Sequence, residues 1–189
     1  MKFLHLLSTI VSTAAAVDVR FFKAYDCGSA TYVTCYGLNP NTCCGAGTAN
    51  EYGNIGFYGI QYAWDIDYRA HYASSARPSS CGELRRSERH LGTNFVCLNS
   101  DLWLGASGAG YSFRPHNKRE TVADADAADI GNNISYESCQ RADTLVLDDG
   151  ASYNLTSLND TAFNDLLSSV GGATTAVNIS AEFDDIKIE

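Results

Sequence analysis

Cysteine usage constrains this chain more than any other feature. Six of its seven cysteines, Cys27, Cys35, Cys43, Cys44, Cys81 and Cys97, come before residue 100. An even set in a short segment reads as three disulfides in an oxidising compartment, each worth about 3 kcal/mol through the restricted unfolded chain. The sequence has no C-x-x-C pair and matches no zinc-finger spacing, so neither a metal nor a cofactor is expected. The pairing stays open, although a vicinal Cys43–Cys44 bond is disfavoured because it strains the backbone. Cys139 is left over. It is buried and free, joined to another chain, or paired with one of the six in a different arrangement.

The compartment is legible at the start of the chain. Residues 1–16 run from Met1 and Lys2 through an apolar stretch to Ala14, Ala15 and Ala16, a small-residue cleavage signal. The apolar run is shorter than the ~20 residues a bilayer requires, so we expect a removed signal peptide, a mature chain from Val17, secretion, and no membrane contact. Four N-x-[ST] sequons, at Asn133, Asn154, Asn159 and Asn178, agree with an extracellular glycoprotein. Asn159 has a rival reading as a helix cap.

Charge divides the remainder. Residues 17–68 sum to −3, residues 69–119 to +5 and residues 120–189 to −12. With the cysteines, this predicts a cysteine-rich β domain at 17–119, an acidic linker at 120–132 and an acidic, sequon-bearing α+β segment at 133–189. Lys118-Arg119 sits at the junction as a candidate dibasic processing site, in a stretch where cleavage is physically easy. Two arrangements follow: a removable acidic mask over the basic strip, or a permanent fusion sharing one apolar core.

The hydrophobic pattern is that of a mainly β protein. Large apolar residues recur at even positions through Tyr58, Ile60, Tyr62, Trp64, Ile66, Tyr68 and Tyr72, with polar groups between them, which predicts two strands or one bent strand. Val17, Val19 and Phe21 repeat the alternation, and 95–98 and 111–113 are further strand candidates. Turns are expected at 37–41 and 105–110. Leu145 and Leu147 face Tyr153 and Leu155 across Asp149-Gly150, a hairpin signature. Phe163, Leu166, Leu167 and Val170 lie at helical spacing between Asn159 as N-cap and Gly171 as stop, and Ile186 and Ile188 predict a last strand.

Catalytic sets are thin. The mature chain has only His71, His90 and His116, none beside a recognisable nucleophile. The segment 105–109 lacks the final glycine of a nucleophile elbow, and Asp124, Asp126 and Asp129 lack the glycine and distal glutamate of a calcium loop. The strongest polar cluster is Asp65, Asp67, Arg69 and His71 on one strand face, with Glu83, Arg85, Arg86, Glu88, Arg89 and His90 nearby. Such a set can cut a phosphodiester by acid–base chemistry. It also describes the wet side of a half-exposed sheet.

Tyr25-Asp-Cys27-Gly-Ser-Ala, Thr34-Cys35, Asn39-Pro-Asn-Thr-Cys43-Cys44, Asn94-Phe-Val-Cys97-Leu and Gly108-Ala-Gly110-Tyr-Ser-Phe113 together resemble small cysteine-rich proteins secreted by fungi. The likeness covers most of residues 18–114 and implies effector, surface-protein or toxin roles. The aromatic, Gly-Ser and Cys rhythm is also similar to βγ-crystallin Greek keys. The reading is therefore a secreted, non-catalytic binding protein with an extracellular protein or carbohydrate partner and no nucleic acid. The alternative is a small hydrolase such as a ribonuclease, using His71 or His90 with a nearby carboxylate and arginine.

Overall fold

The computed structural model describes residues 16–24, 26–49, 51–77, 79–99, 105–114, 138–171 and 174–188. The N-terminal alternation forms a strand, β1 (Val17–Phe22), with Val17, Val19 and Phe21 fully buried and Asp18 and Arg20 on the other face. There follow β2 (Tyr32–Leu38), β3 (Thr42–Gly45), β4 (Asn54–Tyr58), β5 (Asp65–Tyr72), β6 (Glu83–Leu91), β7 (Phe95–Asn99) and β8 (Gly108–Phe113). The C-terminal part supplies β9 (Ser138–Arg141), β10 (Thr144–Val146), β11 (Ser152–Asn154), the helix α1 (Asp160–Ser169) and β12 (Lys187–Ile188). The protein is mainly β with a small helical segment near its C-terminus, as the sequence predicts.

Two sheets form, one in the order β12-β11-β10-β2-β1-β4-β7 and the other β6-β5-β8-β3-β9. β3 and β9 run parallel. Phe57 of the first sheet packs on Tyr68 of the second with ring centroids 4.8 Å apart, so the core lies between the sheets. The six early cysteines pair among themselves as Cys27–Cys97, Cys35–Cys44 and Cys43–Cys81. Cys35 and Cys44 face inward and cross the core from β2 to β3. The alternation of Cys43 with Cys44, and of Cys97 with buried Val96 and Leu98, turns the other two bonds to the outer faces.

The long aromatic run is interrupted. β4 ends at Tyr58, Gly59 turns the chain at φ +79, and the buried register resumes in β5 at Ile66, Tyr68 and Ala70. Tyr62 lies in that turn, 65% exposed. The strand expected at 111–113 starts three residues earlier, because Gly108, Ala109 and Gly110 pair with β5 and β3.

Charge and cysteine boundaries do not divide the core. β10 pairs with β2, and one buried cluster joins Val19, Val33 and Phe57 to Leu145, Tyr153, Phe163 and Leu166. The physical reason is that a hairpin and a ten-residue helix have little surface to bury on each other, while β2 offers an edge of unpaired backbone groups. The expected linker at 120–132 lies outside the described residues.

The predicted hairpin is β10–β11, with Leu145 opposite Tyr153 and Gly150 at φ +82 in the turn. Asn159 caps α1, its Oδ1 accepting from the Ala162 N–H at 2.9 Å. Gly171 does not stop the helix. Val170 already leaves it in extended conformation, and the Gly171 N–H donates to Thr174 Oγ1 instead. Ile186 ends a 3₁₀ helix at Ala181–Ile186, so only Lys187 and Ile188 form the last strand.

Candidate functional site

Aromatic rings and one arginine gather on the outer face of the seven-stranded sheet. Alternation in β1 sends Arg20 outward, and its register partners Thr34 and Gly56 place β2 and β4 on either side. The Arg20 guanidinium lies 4.6 Å from the Tyr32 ring centroid and 4.2 Å from that of Tyr58. A guanidinium between two ring faces gains about 1–2 kcal/mol per face when partly desolvated. Gly56 makes this possible, because a Cβ there would come within 2.6 Å of the Tyr58 ring, which instead lies flat across the strand. The Tyr58 hydroxyl donates to the Cys27 carbonyl at 2.8 Å, so the Cys27–Cys97 bond helps anchor the ring.

The cluster continues on both sides. Phe95 of β7 packs on Tyr58 at 4.8 Å and is 39% exposed, and Tyr36 of β2 is 45% exposed. Burial, then its hydrogen bond with Tyr32, push the Tyr36 hydroxyl up to about 12, so it stays protonated as a donor at any physiological pH. From Tyr36 and Tyr32 through Arg20 and Tyr58 to Phe95, the stripe crosses four neighbouring strands, a span of about 14 Å at ordinary strand spacing. Asp18 and Asp143 flank it, accepting from the Gly37 and Tyr36 N–H groups at 2.9 Å. Of these residues the sequence marks Tyr58, as part of an alternating run read as core, and Phe95, as the start of a strand; Arg20 on the polar beat of β1 and the i, i+4 pair Tyr32 and Tyr36 on a period-two strand were further readable signals.

The polar cluster predicted on β5 falls in two environments. Asp65, Asp67, Arg69 and His71 do share one strand face. Asp65 receives both Arg89 donors at 2.8 and 2.6 Å, and Asp67 accepts from Arg114 Nε at 3.1 Å. Arg69 and His71 are not on a wet surface, however; both are buried. The turn at 79–82 lies over this end of the sheet, where Ser107 Oγ donates to the Ser80 carbonyl at 2.8 Å and Ser80 sits on Gly45 and Gly108. A Cβ on Gly108 would meet the Ser80 carbonyl oxygen at 2.4 Å, so only glycine fits there. Burial, then the Arg69 charge, depress the His71 imidazole to about 4. His71 is therefore neutral and enclosed at neutral pH.

His90 is at the other end of the β5–β6 hairpin, opposite Ile66, whereas His71 faces Leu84. Arg86, Glu88 and His90 share one side of β6. Glu88 accepts from Arg86 Nε at 2.6 Å through one oxygen and meets His90 Nε2 at 3.1 Å through the other. A histidine, a carboxylate and an arginine thus converge, but as one ion-paired chain along an edge strand.

Asn154, Asn159 and Asn178 are all exposed. The Oδ1 of Asn154 accepts from the Thr156 N–H and hydroxyl, and that of Asn159 caps α1. Glycosylation would use the amide nitrogen, so the cap and sequon readings of Asn159 are compatible. Asn133, His116, Lys118, Arg119 and residues 1–15 lie outside the described residues. Cys139 is on β9, exposed and unbonded. Among the described residues no helix is long and apolar enough to cross a membrane.

Comparison with protein families matches residues 18–143, from β1 to the residue before β10 and more than half of the chain. The chain belongs to the ARB_05566_N family. The matched unit, described as an N-terminal domain, takes in β1 from Asp18 through β9, all three disulfides and the whole aromatic stripe of this chain. Neither curated proteins nor solved structures yield a match to the chain.

Proposed function

We propose that the chain is a secreted, non-catalytic binding protein whose interaction surface is the aromatic stripe, and that its partner is an extracellular polysaccharide. The observation carrying this reading is the row Tyr36, Tyr32, Arg20, Tyr58 and Phe95 across four neighbouring strands on the outer face of the seven-stranded sheet. The exposed Tyr36 and Phe95 rings at the two ends of the stripe would cover the C–H faces of sugars, while the Tyr36 hydroxyl and the flanking Asp18 and Asp143 would reach equatorial hydroxyls. A row that crosses four strands suits an extended chain, whereas a small molecule needs a concavity to bury most of its surface. Three disulfides and exposed sequons support secretion, with glycans at Asn154, Asn159 or Asn178. Intact mass of the protein from culture medium reports signal cleavage, glycans and any cut after Arg119.

Binding is tested by co-sedimentation with insoluble chitin, cellulose and β-glucan. At least one should retain the protein, and Tyr36→Ala with Phe95→Ala should weaken retention tenfold or more in protein that still unfolds in one cooperative transition, lowered only by the lost ring contacts. Retention unchanged by both substitutions would overturn the reading.

A second reading, a ribonuclease, is favoured by the meeting of Arg86, Glu88 and His90. An acid and a base must flank the scissile phosphodiester, and here they are bonded to each other, which leaves no room for substrate between them. RNA cleavage abolished by Glu88→Gln would establish this alternative.

A further inference from the structure

Three sulfurs stand together on the outer face of the five-stranded sheet. The Sγ atoms of Cys43, Cys81 and Cys139 all lie within 4.8 Å of one another, yet only Cys43 and Cys81 are bonded. Cys43 is buried on β3, Cys81 half-buried in the turn at 79–82, and Cys139 exposed on β9. Cys43 and Cys139 are register partners in adjacent parallel strands. Neighbouring strands are about 4.8 Å apart, inside the Cα separation of about 4.4–6.8 Å that a disulfide spans. A Cys43–Cys139 bond therefore fits the sheet as it stands.

We propose that Cys139 is an internal exchange site that displaces Cys81 from Cys43. The Cys139 thiolate attacks the Cys43 sulfur, a Cys43–Cys139 bond forms, and the Cys43–Cys81 bond breaks. The electron pair leaves on the Cys81 sulfur, which takes up a proton. One disulfide and one thiol are present before and after, so no oxidant or reductant is consumed. Cys81 is the sulfur that leaves because it rides on a turn, while Cys43 and Cys139 are held by strand pairing.

Exchange has two structural consequences. It unpins the turn at 79–82, whose Ser80 covers Gly45 and Gly108 in the strand row that includes His71. It also covalently joins the cysteine-rich part to the C-terminal part, which no disulfide reaches in the present pairing. The two pairings are thus two covalent states of the same fold, one with the turn clamped and one with β9 clamped.

The test is disulfide mapping of the secreted full-length protein after incubation at pH 8 in a glutathione redox buffer, with acid quench, alkylation and non-reducing trypsin digestion. Cys27, Cys35, Cys43 and Cys44 share the tryptic peptide 24–69, which the Cys27–Cys97 bond also ties to the Cys97 peptide; Cys81 is in 70–85 and Cys139 in 120–141. The expected result is 120–141 linked to 24–69 and a free, alkylated 70–85, increasing with pH as the thiolate fraction rises. Cys139→Ser should keep 70–85 linked throughout, and Cys81→Ser should give the Cys43–Cys139 pairing directly. Alkylation confined to Cys139 in the native chain, together with failure of Cys81→Ser to form the new bond, would overturn the proposal. So would a Cys81–Cys139 bond with Cys43 alkylated.

Discussion

Acidification should destabilise the fold through one buried imidazole. His71 is enclosed between β5, β8 and the turn at 79–82, and its protonated form is disfavoured first by burial and then by Arg69. Its value falls from 6.5 to about 4 in the folded chain. At 1.36 kcal/mol per unit, that is about 3 kcal/mol of differential stability. The folded value is below the unfolded one, so the unfolded chain takes up the proton first. The contribution is complete above pH 6.5, declines by up to about 1.4 kcal/mol per pH unit on acidification, and is gone near pH 4. Urea unfolding with disulfides intact, at pH 7, 6, 5 and 4.5, measures the slope, and His71→Gln should remove that share of it. Identical pH dependence in the two proteins, or an NMR titration of His71 near 6.5, would refute the reasoning.

Other expected outcomes follow from the core, the disulfides and the covered sheet face. Leu145→Ala should cost about 2–5 kcal/mol in denaturant unfolding, with a single transition, because Leu145 is fully buried in a core shared with β1 and β4. Two separate transitions would show that β10 to β12 fold apart. Replacing Cys27 and Cys97 with serine opens a loop of 70 residues and should lower stability by about 4 kcal/mol, whereas opening the nine-residue Cys35–Cys44 loop should cost about 2.5 kcal/mol by chain entropy plus the loss of buried packing. Thermal unfolding of the two double variants checks the first figure and whether the second exceeds its entropic part. Gly108→Ala drives a methyl into the Ser80 carbonyl and should lower the melting temperature by several degrees, while Gly92→Ala, at φ +73 with open space around it, should lower it only through backbone strain.

Where the sequence was legible, local rules and tertiary packing agreed. β1 alternates because one face meets the core, Asp149-Gly150 turns because Gly150 needs positive φ, and Asn159 caps because its short side chain reaches the Ala162 N–H. Each signal lies within a few residues and survives in any fold that buries the apolar face. β6 was hidden. Its Glu83–Leu91 sequence carries charges on both faces and no apolar period, and it is a strand because β5 pairs along nearly its whole length. β3 was hidden for the opposite reason: all four residues are buried, since β8 and β9 flank it and the Cys81 turn covers its outer side, so no alternation appears.

The candidate site divides in the same way. Arg20, Tyr36 and Phe95 sit on three strands separated along the chain, and nothing local says that β1 pairs with both β2 and β4 or that β7 follows β4. Composition and cysteine count by themselves determined a disulfide-stapled β protein, because an even set of cysteines and period-two apolar residues constrain any chain that carries them. Long-range pairing decided the rest: which sulfurs meet, that the acidic C-terminal part completes the first sheet, and that Cys139 stands beside a bond it does not share. Those outcomes depend on which unpaired edge buries most backbone and apolar surface, an energy summed over residues more than 100 positions apart, such as Thr34 and Thr144.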